Sequence, residues 1–158
     1  MIRIALIVVA ASCLTGCGQA AGSPSASTPA STHHGTAATR PPGATLTTTA
    51  GAHRLTIGSY CWSVRTATGG TTACGDAAGP VAIPGLASVP AAIGETIVVR
   101  LRFTPTHPVE ATIGAVRYRL PAAATLRLRV RRLGLLTVDP RRGSDDVEYL
   151  ARIVRVAS

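Results

Sequence analysis

From His53 onward, apolar and polar residues trade places at every second position, the period of a strand with one buried face. Leu55 and Ile57 alternate with polar partners. Tyr60, Trp62 and Val64 then share one face, and Ser59, Cys61, Ser63 and Arg65 share the other. Ile97, Val99, Leu101 and Phe103 form a second inward row with Arg100 and Arg102 pointing out. Residues 109–120 read as one or two strands around Gly114, with Val116, Tyr118 and Leu120 inward and Arg117 and Arg119 outward. Leu126, Leu128 and Val130 alternate with Arg127, Arg129 and Arg131, and 133–138 is a further short strand. The last segment, 147–156, leaves its register open. Tyr149, Ala151 and Ile153 line one face and Leu150, Val154 and Val156 the other, which describes a strand buried on both sides or bulged. No window has a helical repeat.

The breaks between these runs are turn chemistry. Thr66-Ala67-Thr68-Gly69-Gly70 predicts a hairpin. Pairing 61 with 74 puts 65 opposite 70 and leaves 66–69 as a four-residue loop, a common hairpin length. Directly opposed positions are close enough for a disulfide, so Cys61 and Cys74 are expected to be bonded. Pro80, Pro84 and Pro90 make 75–94 a loop or an edge crossing. Seven or eight short strands between Gly/Pro turns predict an all-β fold, an antiparallel β-sandwich over 53–158. The pattern resembles that of immunoglobulin-like domains of bacterial surface proteins, without a diagnostic motif. It differs from antibody domains in that its two cysteines lie in one hairpin instead of bridging two sheets.

The chain before His53 has no such period. Of the 35 residues 18–52, thirty are Ala, Gly, Ser, Thr or Pro, and Leu46 is the only large apolar side chain. So little apolar surface cannot offset the entropy of ordering, and the segment is expected to be a disordered linker with a span of roughly 30–35 Å. Its Ser/Thr density resembles O-glycosylated stalks, and His33-His34 is read as a solvated dipeptide.

Further back the pattern changes again. Met1-Ile2-Arg3 is a short positive start, and Ile4-Ala5-Leu6-Ile7-Val8-Val9-Ala10-Ala11 is an unbroken apolar run. A spanning helix needs roughly 20 apolar residues, so this run has the length of a signal-peptide core. It leads to Leu14-Thr15-Gly16-Cys17, which resembles the lipobox of bacterial lipoproteins. The resemblance implies that residues 1–16 are removed, that Cys17 carries diacylglyceryl and fatty acyl groups, and that 17–52 tethers the sandwich to a membrane. Localisation would be the outer face of the cell membrane, or an outer membrane if the cell has one, since Gly18 replaces the retention Asp. Each buried methylene contributes about 0.8 kcal/mol, so two or more chains would anchor stably.

Composition sharpens this picture. The precursor has 158 residues, of which 142 remain after cleavage before Cys17, one domain's worth. With 3% aromatic residues, the core must be aliphatic. All sixteen basic residues are Arg, with no Lys and no Asn, and the formal net charge is +9, or +8 once Arg3 is lost. Such a charge favours anionic partners. An exported protein rarely meets nucleic acid, which leaves anionic lipid, wall polymer or a protein partner. Arg100, Arg102, Arg117, Arg119, Arg127, Arg129 and Arg131 all fall on outward positions of three consecutive strands. If those strands are neighbours, one sheet presents a basic face whose guanidinium forks match phosphate or carboxylate. The alternative is a solvated face with charged edges that block aggregation.

Catalytic and metal chemistries find little support. Cys61-Trp62 is similar to the Cys-Trp of papain-like proteases, but the upstream cysteine of that signature is missing and no Asn exists to orient a base. Blue copper needs two His, a free Cys and usually Met, and the only Met is Met1. Asp139, Asp145, Asp146 and Glu148 cluster about one turn but match no EF-hand spacing, and Arg141, Arg142 and Arg152 are near enough to neutralise them. No cofactor is expected. The chain is read as a non-enzymatic, lipid-anchored binding or accessory module. The competing reading is a small envelope enzyme with His53 or His107 beside a carboxylate or serine. An importer's solute receptor, usually two-lobed, is disfavoured by size.

Overall fold

The computed structural model describes residues 40–67, 69–77, 83 and 85–156. The described chain is all-β, with twelve strands and no helix. The strands are β1 (Ala44–Thr48), β2 (Gly51–Arg54), β3 (Thr56–Thr66), β4 (Gly69–Gly75), β5 (Ser88–Pro90), β6 (Thr96–Leu101), β7 (Val109–Ile113), β8 (Val116–Leu120), β9 (Thr125–Arg129), β10 (Gly134–Asp139), β11 (Arg141–Arg142) and β12 (Asp145–Val154). Eight of these are the strands that the alternation predicts. The other four are the short β5 and β11, and β1 and β2.

β1 and β2 correct the expected boundary of the linker. Residues 44–54 form a hairpin inside the sandwich, and Leu46, the one large apolar residue of the segment, is fully buried. β1 alternates buried and exposed along Ala44, Thr45, Leu46, Thr47 and Thr48. Threonine stiffens a strand and packs on a pleated surface, so a Thr-rich stretch needs few large side chains to join a sheet. Residues 17–39 of the expected linker and the signal segment lie outside the described residues.

Two sheets pack face to face. The small sheet has the order β2-β1-β6-β9, and the large one β4-β3-β12-β10-β7-β8. β12 is the central strand of the large sheet. β3 and then β5 pair along one of its sides, and β11 and then β10 along the other. Every pairing is antiparallel except β5 with β12, so the stretch expected to be a loop or an edge crossing contains a short parallel strand at Ser88–Pro90. The architecture is the expected sandwich; this strand order does not establish an immunoglobulin topology.

Of the two alternatives left open for the last strand, burial on both sides is the one observed, and the bulge lies in its partner β3. Val147, Tyr149, Ala151 and Ile153 face the core and are buried, and Leu150 is buried on the opposite face. A bulge separates the pairs Val147–Tyr60 and Tyr149–Ile57, so Gly58 and Ser59 together oppose Glu148. That extra residue flips the parity of β3. Leu55 and Ile57 point inward before it, Tyr60, Trp62 and Val64 after it. A side chain at Gly58 would run into the Glu148 carboxylate and Leu150, which is why the bulge carries glycine.

The core between the sheets is aliphatic, as the composition requires: Leu46, Ile97, Val99, Leu126 and Leu128 from the small sheet meet Val109, Ile113, Leu136, Val138 and Ile153 from the large one. Its aromatic corner is Trp62, edge-on to Phe103 with ring centroids 5.0 Å apart. Two hydrogen bonds tie the layers: Tyr118 Oη donates to the Arg129 carbonyl at 2.7 Å, and Tyr149 Oη donates to the Pro42 carbonyl. The β3–β4 hairpin has the expected register, with Cys61 opposite Cys74 at Cα–Cα 4.1 Å and the two sulfurs at disulfide distance. Pairing runs one step further than expected, to Thr66–Gly69, so the loop is shorter than four residues.

Candidate functional site: a basic face on the small sheet

The arginines do not lie on one face. β6 and β9 are neighbours in the small sheet, but β8 pairs with β7 in the large one. Arg100, Arg127 and Arg129 therefore share the outer face of the small sheet, and Arg102 and Arg131 are exposed just beyond the ends of β6 and β9. Arg117 and Arg119 sit on the outer face of the large sheet, opposite Thr112 and Glu110. The expected seven-arginine face is thus corrected to two groups. The alternation of each strand was sound, but adjacency of strands cannot be read from alternation.

Arg54 joins the small-sheet group; it lies inside the expected domain, but the sequence reading assigned no strand to Gly51–Arg54 and so gave it no face. It pairs with Thr45 on one side of β1, and Arg100 pairs with Thr45 on the other. Neighbouring strands are about 4.8 Å apart, so Arg54 and Arg100 flank Thr45 at roughly 10 Å in one row. Val98 and Arg127 occupy the next row, and Thr96 and Arg129 the one after. Threonines 45, 47, 96 and 125 fill the exposed positions between. None of the four strands contains a carboxylate. Among the described residues the sole ion pair is Arg142 with Asp145, elsewhere in the molecule. Four guanidinium groups and a set of hydroxyls thus face solvent without an ion-pair partner among the described residues, an arrangement able to take phosphate or carboxylate groups from outside; Glu95, just before β6, is engaged by the Thr49 and Ala92 amides.

The large sheet carries both signs: Arg65, Arg117, Arg119, Arg141 and Arg152 are exposed on its strands, and beside them runs a row of carboxylates. Glu148 on β12, Asp139 on β10 and Glu110 on β7 run in one row across three adjacent strands. Desolvation and then the nearby charges of Glu148, Glu110 and Asp146 push the Asp139 carboxyl up to about 6, with Arg141 acting the other way. No group of three or more His, Cys, Asp or Glu among the described residues is arranged to hold a metal ion.

The turn acids divide by role. Asp145 is buried: its Oδ1 accepts the Ser63 amide at 3.0 Å and its Oδ2 the Arg142 guanidinium at 2.8 Å. Arg142 also lies 4.1 Å over the Trp62 ring and donates to the Ser63 carbonyl. Burial acts to raise the Asp145 carboxyl, but the hydrogen bonds from Arg142 and Ser63 outweigh it and hold the group below the ordinary range. This is the charged turn that the neighbouring arginines suggested, built as a lock between β3 and β12.

The two histidines among the described residues lie apart, one in the small sheet and one in a loop. His53 is on the edge strand β2, its Nε2 buried with no hydrogen-bond partner. His107 is exposed in the β6–β7 loop, its Nδ1 3.0 Å from Thr106 Oγ1. Neither has a carboxylate or serine hydrogen-bond partner among the described residues. Cys17, the expected lipidation site, and the His33-His34 dipeptide lie outside those residues. No helix among the described residues is long and apolar enough to cross a membrane. No protein-family model, curated protein or solved structure matches the chain.

Proposed function

We propose that the protein is an exported lipoprotein, acylated on Cys17, whose sandwich is a non-enzymatic binding module for anionic groups of the cell envelope. The address is supported by the positive start, the short apolar run and Leu14-Thr15-Gly16-Cys17. The observation that carries the binding role is the outer face of the small sheet, where Arg54, Arg100, Arg127 and Arg129 stand among threonines with no carboxylate on any of the four strands. An unpaired guanidinium cluster keeps its capacity for bidentate anion contacts, while an internally paired one has spent it.

The test has two parts. Mass spectrometry of the native protein is expected to find residue 17 acylated and N-terminal. Salt-titrated binding of a soluble polyanion is expected to weaken steeply as ionic strength rises, because exposed charge contacts are screened. A bare Cys17 removes the anchor, and binding indifferent to salt removes the basic face as its cause.

A further inference from the structure

We propose that the outer face of the small sheet docks on a bilayer, lying against the anionic headgroups of the same membrane that holds the lipid on Cys17. The choice of that membrane rests on the lipoprotein reading above; the docking itself rests on the charge of the two faces and on where the chain enters the sandwich.

The small sheet's strands carry arginines and no carboxylate, whereas the large sheet carries Glu110, Asp139, Asp146 and Glu148 together with exposed Arg65, Arg117, Arg119, Arg141 and Arg152, so its charges largely cancel. Near a negative surface the small sheet's face is attracted and the mixed face of the large sheet much less so, and this difference favours one orientation. A surface of anionic headgroups engages all four arginines at once, because they stand on one pleated face.

The entry point of the chain favours a bilayer over a free polymer. Ala44 begins β1, pairs with Leu101 and accepts the Leu55 amide. Just before it, Gly43 lies under the guanidinium of Arg54, whose Nη2 is 3.4 Å from where a Cβ on Gly43 would stand. The polypeptide coming from Cys17 therefore joins the body beside Arg54 and Arg100. The 22 residues 18–39 can reach at most about 80 Å however they are arranged, at roughly 3.3–3.6 Å per residue. Anchoring Cys17 keeps the basic face within that reach of the headgroups and turns docking into an intramolecular event with a high effective concentration. A soluble polymer gains nothing from the position of the anchor. The most exposed large apolar side chain among the described residues, Ile93 at 65% exposure, sits in the turn leading into β6. Its neighbour Gly94 bonds to the end of β9.

The experiment uses the chain 17–158 with Cys17→Ser, so that no lipid assists, sedimented with vesicles of phosphatidylcholine alone or with about one third phosphatidylglycerol. Binding is expected on the anionic vesicles only, and to disappear between about 0.05 and 0.5 M salt. The fourfold variant R54E/R100E/R127E/R129E, checked by its melting curve, is expected to lose at least a hundredfold in affinity, since each arginine near a charged surface contributes roughly fivefold. Reversing Arg117 and Arg119 on the other sheet is expected to change it by less than about threefold. Equal sedimentation with neutral vesicles, or none with either, overturns the proposal. Binding to soluble polyphosphate without binding to vesicles also overturns it, and leaves the polyanion-binding function standing. Salt-sensitive vesicle binding together with a bare Cys17 in the native protein keeps the docking face and overturns the choice of membrane.

Discussion

The hydroxyl of Tyr149, at the middle of the central strand β12, donates to the carbonyl of Pro42, 107 residues earlier. The bond crosses the core and holds the chain at the point where β1 begins. Burial pushes the Tyr149 hydroxyl well above the ordinary tyrosine range, so it remains a donor at any physiological pH. Residues 40–43 are thereby part of the domain, although their composition is that of a linker.

Tyr149→Phe is expected to cost about 1 kcal/mol in urea unfolding, with an unchanged m-value. Leu46→Ala, which empties a fully buried site, is expected to cost about 2–5 kcal/mol. A chain that starts at His53 lacks β1, the strand between β2 and β6. It is expected to lose cooperative unfolding altogether. A His53 truncation as stable as the longer chain would refute the boundary placed here.

Asp145 supplies the second prediction. Asp145→Ala leaves the Ser63 amide and the Arg142 guanidinium without their acceptor, at a cost of about 1–3 kcal/mol. Because its folded pKa is depressed, its stabilisation is present above the ordinary value of 3.8 and lost as pH falls through the lower, folded value. Wild-type stability is thus expected to fall in that acid range more steeply than that of Asp145→Ala. Parallel denaturation curves for the two proteins below pH 4 would show that the carboxylate is not the group responsible.

The sequence carried the strands well and their neighbours poorly. Period-two alternation located β6 and β9 and assigned Val99 and Leu128 inward, because a sheet with one wet face imposes that pattern directly. The Cys61–Cys74 pairing was legible because a hairpin fixes register through its turn. Two things were not. Leu46 was visible as the sole large apolar residue of its segment, but one residue gives no period, and threonine alternation was hidden in low-complexity composition. The partition of Arg117 and Arg119 from Arg100 and Arg127 depends on which strand lies beside which, a non-local property that no local pattern encodes. The basic face was therefore half seen, and Arg54 was overlooked with its strand.

The disulfide predicts a local effect. Cys61 and Cys74 close a short loop within the β3–β4 hairpin at the edge of the large sheet. Replacing both with Ser is expected to lower stability by roughly 3 kcal/mol if the bond acts by restricting the unfolded chain. Hydrogen exchange should accelerate chiefly in β4, which has a single strand neighbour, and little in β6 or β9. An equal loss of protection in both sheets would mean that the hairpin is integral to the core.

The acidic row gives the last prediction, a titration. The Asp139 carboxyl is raised to about 6 by desolvation first and then by Glu148, Glu110 and Asp146. A raised carboxyl favours the protonated folded state, so its contribution is fully present below the ordinary value of 3.8 and is lost as pH rises through about 6. The residue as a whole is exposed, so screening keeps the effect on total stability small, and the direct observable is the titration itself. Carboxyl NMR is expected to place one aspartate near 6. Asp139→Asn should remove that signal, and Glu148→Gln and Glu110→Gln should each move it toward the ordinary value, Glu148→Gln by the larger step. Arg141→Gln removes the one opposing charge and should move it further up. An Asp139 that titrates near 4 and ignores both glutamine variants would mean that the three carboxylates, although one row in the sheet, point their charges apart into water.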